Sequence, residues 1–171
     1  MKRSRLEWSV ILLLCVALAF LLPRCGKEKT GIKLAPDFTL KTLEGAELTL
    51  SQMKGKVVLL DFWATWCGPC REAIPHLVQL YKSYHDKGFE LMGMSMDKGD
   101  PQVVRRFVKS MDIPYPILMA PEEMARNFGV TALPTTILID KEGKVRDKII
   151  GFNSTISKQL ASQVARLTSE P

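Results

Sequence analysis

Apolar residues change their spacing several times along this chain, and each change predicts a different element. Trp8 to Leu22 is fifteen residues without a charge. No polar face runs through it, so a buried core helix is a poor reading. A spanning helix needs about 20 residues and at least ~17, so this length suits the apolar region of a signal segment. Gly26 to Lys33 is polar, with three lysines and two glycines, and reads as a linker. Phe38–Leu40 and Leu48–Leu50 predict two short strands joined by a turn at Leu43–Ala46. Ser51–Lys56 reads as a short helical turn or loop. Val57–Trp63 is nearly continuous apolar rather than alternating, which predicts a central strand covered on both faces.

A helical period follows from Pro69 to about Lys87, with Ala73, Ile74, Leu77, Leu80 and Tyr81 on its buried side and a kink at Pro75. Phe89–Met96 predicts a second inner strand. Gln102–Met111 and Ala120–Phe128 read as helices. Thr135–Asp140 and Val145–Phe152 predict a hairpin about Lys141–Lys144, and Ser154–Leu167 a last helix capped by Ser154 or Thr155. Strand, helix and strand followed by a hairpin and helix give an α/β domain, a mixed central sheet flanked by helices on both faces. The domain is expected to occupy residues 34–171, behind a linker at 26–33 and a signal anchor or signal peptide at 1–25.

Charge adds little outside the N-terminus. The net charge is +6, of which residues 1–25 carry +3 (Lys2, Arg3, Arg5 and Arg24 against Glu7). The remaining +3, without a basic stripe, excludes nucleic acid as the partner. Lys2, Arg3 and Arg5 form the basic start of an export signal. Pro23-Arg24-Cys25-Gly26 has no small-x-small cleavage site, which favours an uncleaved anchor. Acylation at Cys25 is the alternative, although Pro and Arg stand where small residues usually precede an acylated cysteine. Either way, the domain is expected outside the cytoplasmic membrane, on the periplasmic side, where disulfides form.

The chemistry sits directly after the central strand, in Trp66-Cys67-Gly68-Pro69-Cys70. Two thiols with two residues between them close into a disulfide at little entropic cost. At a helix start, the dipole and unpaired N–H groups stabilise the thiolate, which is the nucleophile in exchange. Pro69 suits the first turn, where its missing N–H costs nothing. Gly68 leaves the approach to both sulfurs open. A zinc site would need four ligands. Cys15 and Cys25 lie in or just after the N-terminal apolar run, and His76 and His85 lack metal-finger spacing. No metal is expected, nor any cofactor beyond a redox-active Cys67–Cys70 disulfide. Asp61 lies in an otherwise apolar strand, and a buried carboxylate without a partner is costly enough to ask for a role.

Asp61-Phe62-Trp63-Ala64-Thr65-Trp66-Cys67-Gly68-Pro69-Cys70 resembles the active-site segment of thioredoxins, and Phe128-Gly129-Val130-Thr131-Ala132-Leu133-Pro134-Thr135 resembles their cis-proline loop. The opening Ala35-Pro36-Asp37-Phe38-Thr39-Leu40 and the N-terminal segment resemble the exported, tethered TlpA/ResA branch. The resemblance implies a thioredoxin-like fold with an N-terminal β-hairpin extension and membrane segment. It implies that Cys67, as an exposed thiol, attacks a substrate disulfide, and that Cys70 resolves the mixed disulfide. It also implies that Asp61 takes the resolving thiol's proton. A cis Leu133–Pro134 bond is implied, letting Leu133 pair with an extended substrate, with Trp66, Gly68 and Pro69 on the docking surface. Many of the tethered group carry a glutamate three residues after the second cysteine, where this chain has Ala73.

The resemblance points to an enzyme that reduces disulfides in exported proteins, among them apocytochrome c, recharged by a membrane thiol-transfer protein of the DsbD/CcdA type. Two other classes compete. A peroxiredoxin-like peroxidase shares the Ala-Pro-Asp-Phe opening, yet it expects Pro seven and Thr three residues before its cysteine, where Leu60 and Ala64 stand. A copper-delivery module would use CxxxC and a later histidine, whereas this chain has CxxC and no histidine after His85. Met92, Met94 and Met96 alternate along a strand, which fits core packing.

Overall fold

The computed structural model describes residues 33–170. Strands β1 (Thr39–Lys41) and β2 (Glu47–Thr49) pair antiparallel as a separate two-stranded sheet, with Leu40 opposite Leu48. Strand β3 (Val57–Trp63) is buried at all seven residues, in keeping with its unbroken apolar run. It leads into helix α1 (Gly68–Tyr84), strand β4 (Phe89–Ser95), helix α2 (Pro101–Ser110) and strand β5 (Ile117–Met119). Helix α3 (Glu122–Asn127), strands β6 (Thr135–Ile139) and β7 (Val145–Ile150) and helix α4 (Ser154–Ser169) complete the chain. The five-stranded sheet has the order β5-β4-β3-β6-β7. β3, β4 and β5 run parallel, and β6 is antiparallel to both β3 and β7. Among the described residues no helix is long and apolar enough to cross a membrane. The predicted signal segment at 1–25 lies outside them.

Side chains alternate across the sheet and build two core layers. Val57, Leu59 and Trp63 of β3 meet Ile74 and Leu77 of α1 and Val164 of α4. Val58, Leu60 and Phe62 meet Met92, Met94, Met124 and Phe128 on the other face, where the β1–β2 pair also packs through Leu40 and Leu48. Met92 and Met94 are therefore core residues, and Met96 packs against the same layer. Helices lie on both faces, and the short α3 covers the second through Met124 and Ala125.

Three elements depart from the sequence reading. β5 has no counterpart in it, because three residues among Pro114, Pro116 and Pro121 carry too short a pattern to register as a strand. The helix expected from Ala120 begins at Glu122, since the Ala120 N–H donates to the Ser95 carbonyl at 2.8 Å and the extended Pro121 is the helix N-cap. α4 is capped by Asn153 rather than Ser154 or Thr155: the Asn153 side-chain oxygen accepts from the Ile156 N–H at 2.9 Å.

One close approach in the sheet bears on the site. Gly93 of β4 stands directly opposite Asp61. A Cβ at Gly93 would lie 2.4 Å from Ile117 Cδ1, 3.0 Å from Trp63 Nε1 and 3.3 Å from Tyr115 Cε2. Those three side chains fill the space the glycine leaves. Gly93→Ala is expected to destabilise the fold by about 1–3 kcal/mol through overpacking, measured by urea denaturation. An unchanged midpoint would show that Ile117 swings aside freely.

Candidate active site

The end of β3 turns back on itself before α1 begins. The Cys67 N–H donates to the Ala64 carbonyl at 3.1 Å, closing a four-residue turn. Cys67 is the N-cap of α1, with extended backbone, and its sulfur accepts from the Cys70 N–H at 3.3 Å. The reactive cysteine thus supplies the capping atom, and Pro69 occupies the first turn. Orphan N–H groups and the dipole converge on this sulfur, which is the arrangement that stabilises a thiolate. Cys67 and Cys70 are joined in a disulfide, with Cα atoms 5.3 Å apart. The expectation of an exposed Cys67 is corrected: it is 5% exposed and Cys70 1%. Both cysteines pack within the first core layer. Trp66 is the residue that projects outward, 72% exposed. A Cβ at Gly68 would meet nothing within 4 Å, so the space over Gly68, between the two cysteines in the chain, is open.

Asp61 is fully buried in β3, and its Oδ1 has no hydrogen-bond partner among the described residues. Alternation along the strand places it in the layer of Leu59 and Trp63, which also holds both cysteines. Burial pushes its carboxyl up to about 7. Tyr115, buried nearby, is held well above the ordinary phenol range by burial and then by the charge of Asp61. An acid whose titration is moved to neutrality in the core layer that holds the cysteine pair is a candidate proton acceptor. Ala73, at the position where a glutamate is often found, is buried, whereas Glu72 is exposed. Neither supplies a buried acid on α1.

The Leu133–Pro134 bond is cis. β6 pairs with β3 so that Thr135 faces Phe62, and Leu133 and Pro134 therefore leave the sheet at the same end as the Ala64–Cys67 turn. The Gly151 N–H donates to the Pro134 carbonyl at 2.8 Å, and the Thr135 hydroxyl donates to the Ala132 carbonyl at 2.7 Å. Leu133 is half-buried and packs against both core layers. All the residues expected at the site lie at or beneath one end of the sheet.

The AhpC/TSA family pattern matches residues 33–148. The chain is 39% identical to the thiol-disulfide oxidoreductase ResA of a Bacillus cereus strain over 175 aligned positions, covering 98% of this chain and 99% of that one. The chain belongs to the AhpC/TSA family, among the ResA-like thiol-disulfide oxidoreductases. The thioredoxin-like protein YneN of Bacillus subtilis (strain 168) is 40% identical over 131 residues, 74% of this chain and 76% of YneN. A crystal structure of a thiol:disulfide interchange protein of the thioredoxin family from Chlorobium tepidum TLS superposes with a TM-score of 0.72 at 32% identity, covering 80% of this chain and 97% of that one. As a ResA-like thiol-disulfide oxidoreductase, the chain carries its reactive pair at the start of α1.

One residue that adjoins the site was not singled out from the sequence. Asp97 follows β4 and accepts the Thr65 N–H at 2.9 Å on Oδ2 and the Thr65 hydroxyl at 2.5 Å on Oδ1. Since β4 is parallel to β3 with Ser95 opposite Trp63, residue 97 falls level with residue 65. An acid just beyond a parallel strand, at the sheet end that carries the site, was the available signal.

Proposed function

We propose that this chain is an exported, membrane-tethered reductase of protein disulfides, with apocytochrome c among its clients. The observation that carries the reading is Cys67 as the sulfur cap of α1, joined to Cys70, with the buried Asp61 on the same side of the sheet. In the reduced enzyme the Cys67 thiolate attacks a substrate disulfide, and one substrate sulfur leaves as a thiolate. Cys70 then loses its proton to Asp61, and the Cys70 thiolate attacks the Cys67 sulfur. The mixed disulfide breaks, the second substrate thiol departs, and Cys67–Cys70 closes. Two electrons have passed to the substrate.

A membrane thiol-transfer donor of the DsbD/CcdA type would return them, and residues 1–25 would hold the domain at the outer face of the membrane, as an uncleaved anchor or through acylation at Cys25. Trp66, Gly68 and Pro69 are exposed and form, with the half-buried Leu133, the surface on which the substrate lies, while Pro134 is buried and acts there through its backbone. The Gly68-Pro69 pair between the cysteines favours the reducing direction. Equilibration of the full chain in glutathione buffers is expected to give a potential nearer that of thioredoxin, about −270 mV, than that of DsbA, about −120 mV. A value at the oxidising end would make the enzyme a disulfide donor.

A further inference from the structure

We propose that Asp97 is a positioning residue, whose carboxylate clamps Thr65 and thereby fixes the turn that holds Trp66 outward and Cys67 at the helix start. Three donors converge on the one carboxylate. Besides the two from Thr65, the Ser95 hydroxyl donates to Oδ2 at 3.0 Å. The Asp97 N–H donates to the Ser95 oxygen at 3.3 Å, tying the acid back to the end of β4. All three donors are neutral, and Asp97 makes no ion pair among the described residues.

A helix-capping role does not account for it. α2 has its own cap, Asp100, whose side chain accepts from the Gln102 N–H at 2.9 Å. The turn itself is closed by the single Cys67-to-Ala64 bond. Thr65 and Trp66 occupy its two interior positions, and a 72%-exposed Trp66 has little packing to fix its direction. A carboxylate accepting both donors of the preceding residue supplies that constraint, and hydrogen bonds to a charged acceptor are the stronger kind. The strand register explains why the reach is possible, since β4 delivers Asp97 level with Thr65.

The inference deepens the disulfide-exchange reading and rests on it. It is tested on the full-length chain with Asp97→Asn, Thr65→Val and Thr65→Ser. The Asn amide nitrogen cannot accept, and Val keeps the shape of Thr without its O–H, whereas Ser keeps both donors. Two oxidised substrates are compared: a disulfide-closed peptide containing Cys-X-X-Cys-His, and glutathione disulfide. Asp97→Asn and Thr65→Val are expected to lower kcat/KM for the peptide about tenfold, mainly by raising KM, while glutathione disulfide reacts within about threefold of wild type. Thr65→Ser is expected to stay within about twofold on both. Wild-type peptide kinetics in Asp97→Asn and Thr65→Val, or an equal loss on both substrates, would overturn the clamp. A wild-type chain inert toward both disulfides would instead overturn the exchange reading itself.

Discussion

Replacing Cys67 with Ser is expected to bring disulfide exchange to the uncatalysed background, whereas Cys70→Ser keeps the attack and stops the cycle at a mixed disulfide. The asymmetry follows from position. Cys67 is the cap of α1 and its sulfur receives the field of the helix start, while Cys70 sits one turn inside, 1% exposed. A serine hydroxyl at position 67 has no accessible anion at neutral pH and cannot form the sulfur–sulfur bond. A serine at position 70 leaves the Cys67 thiolate free to attack, but nothing remains to expel the substrate. Single-turnover assays with Cys70→Ser should therefore show a burst of one substrate thiol per enzyme and no second release. Expressed in its own host, that variant should accumulate disulfide-linked complexes with exported proteins carrying haem-binding Cys-X-X-Cys-His segments. A client set without such segments would remove apocytochrome c from the proposal and leave general disulfide reduction. Equal, complete inactivity of both variants toward a first turnover would contradict the assignment of Cys67 as the attacking thiol.

The fold was legible wherever a pattern was long enough to carry a period. β3 declared itself through seven consecutive residues that must all be buried, and α1 through its i, i+3 and i+4 apolar positions. β5 did not, because three residues at a sheet edge gain their strand character from pairing with β4 and not from their own spacing. The site divided in the same way. Cys67, Cys70 and Pro134 stand in local segments whose meaning survives without the fold. Asp61 was visible as an acid in an apolar strand, but its assignment to the cysteine layer needed the alternation of β3 to be realised in three dimensions. Asp97 lies 32 residues from Thr65, and only the parallel register of β3 and β4 brings them together. The burial of Cys67 was also invisible, since a strand–CxxC–helix pattern says where the sulfur stands and not how much of it the neighbouring side chains cover.

Asp61→Asn is expected to stabilise the oxidised protein at alkaline pH while slowing its chemistry, two effects with one cause. Burial raises the carboxyl from 3.8 to about 7 in the folded chain. Below pH 3.8 both folded and unfolded states hold the proton, and the group costs nothing extra. Between 3.8 and about 7 the unfolded chain releases it and the folded chain keeps it, so stability falls as pH rises. Above about 7 both are ionised and the full penalty is in place, on the order of 4 kcal/mol at one pH unit per 1.36 kcal/mol. Asn carries no such charge, so urea denaturation of the variant should lose this slope and exceed wild type at pH 8. The ionised carboxylate is also the form that can take the Cys70 proton. Resolution of the mixed disulfide in wild type should accelerate as pH passes through about 7. In Asp61→Asn that acceleration should vanish and the rate at pH 8 should drop about 10²-fold, the usual worth of a positioned base. Stopped-flow release of the second substrate thiol reads the rate directly. A variant that gains stability at pH 8 yet resolves mixed disulfides at the wild-type rate would show that Asp61 takes no part in the proton transfer and that Cys70 loses its proton by another route.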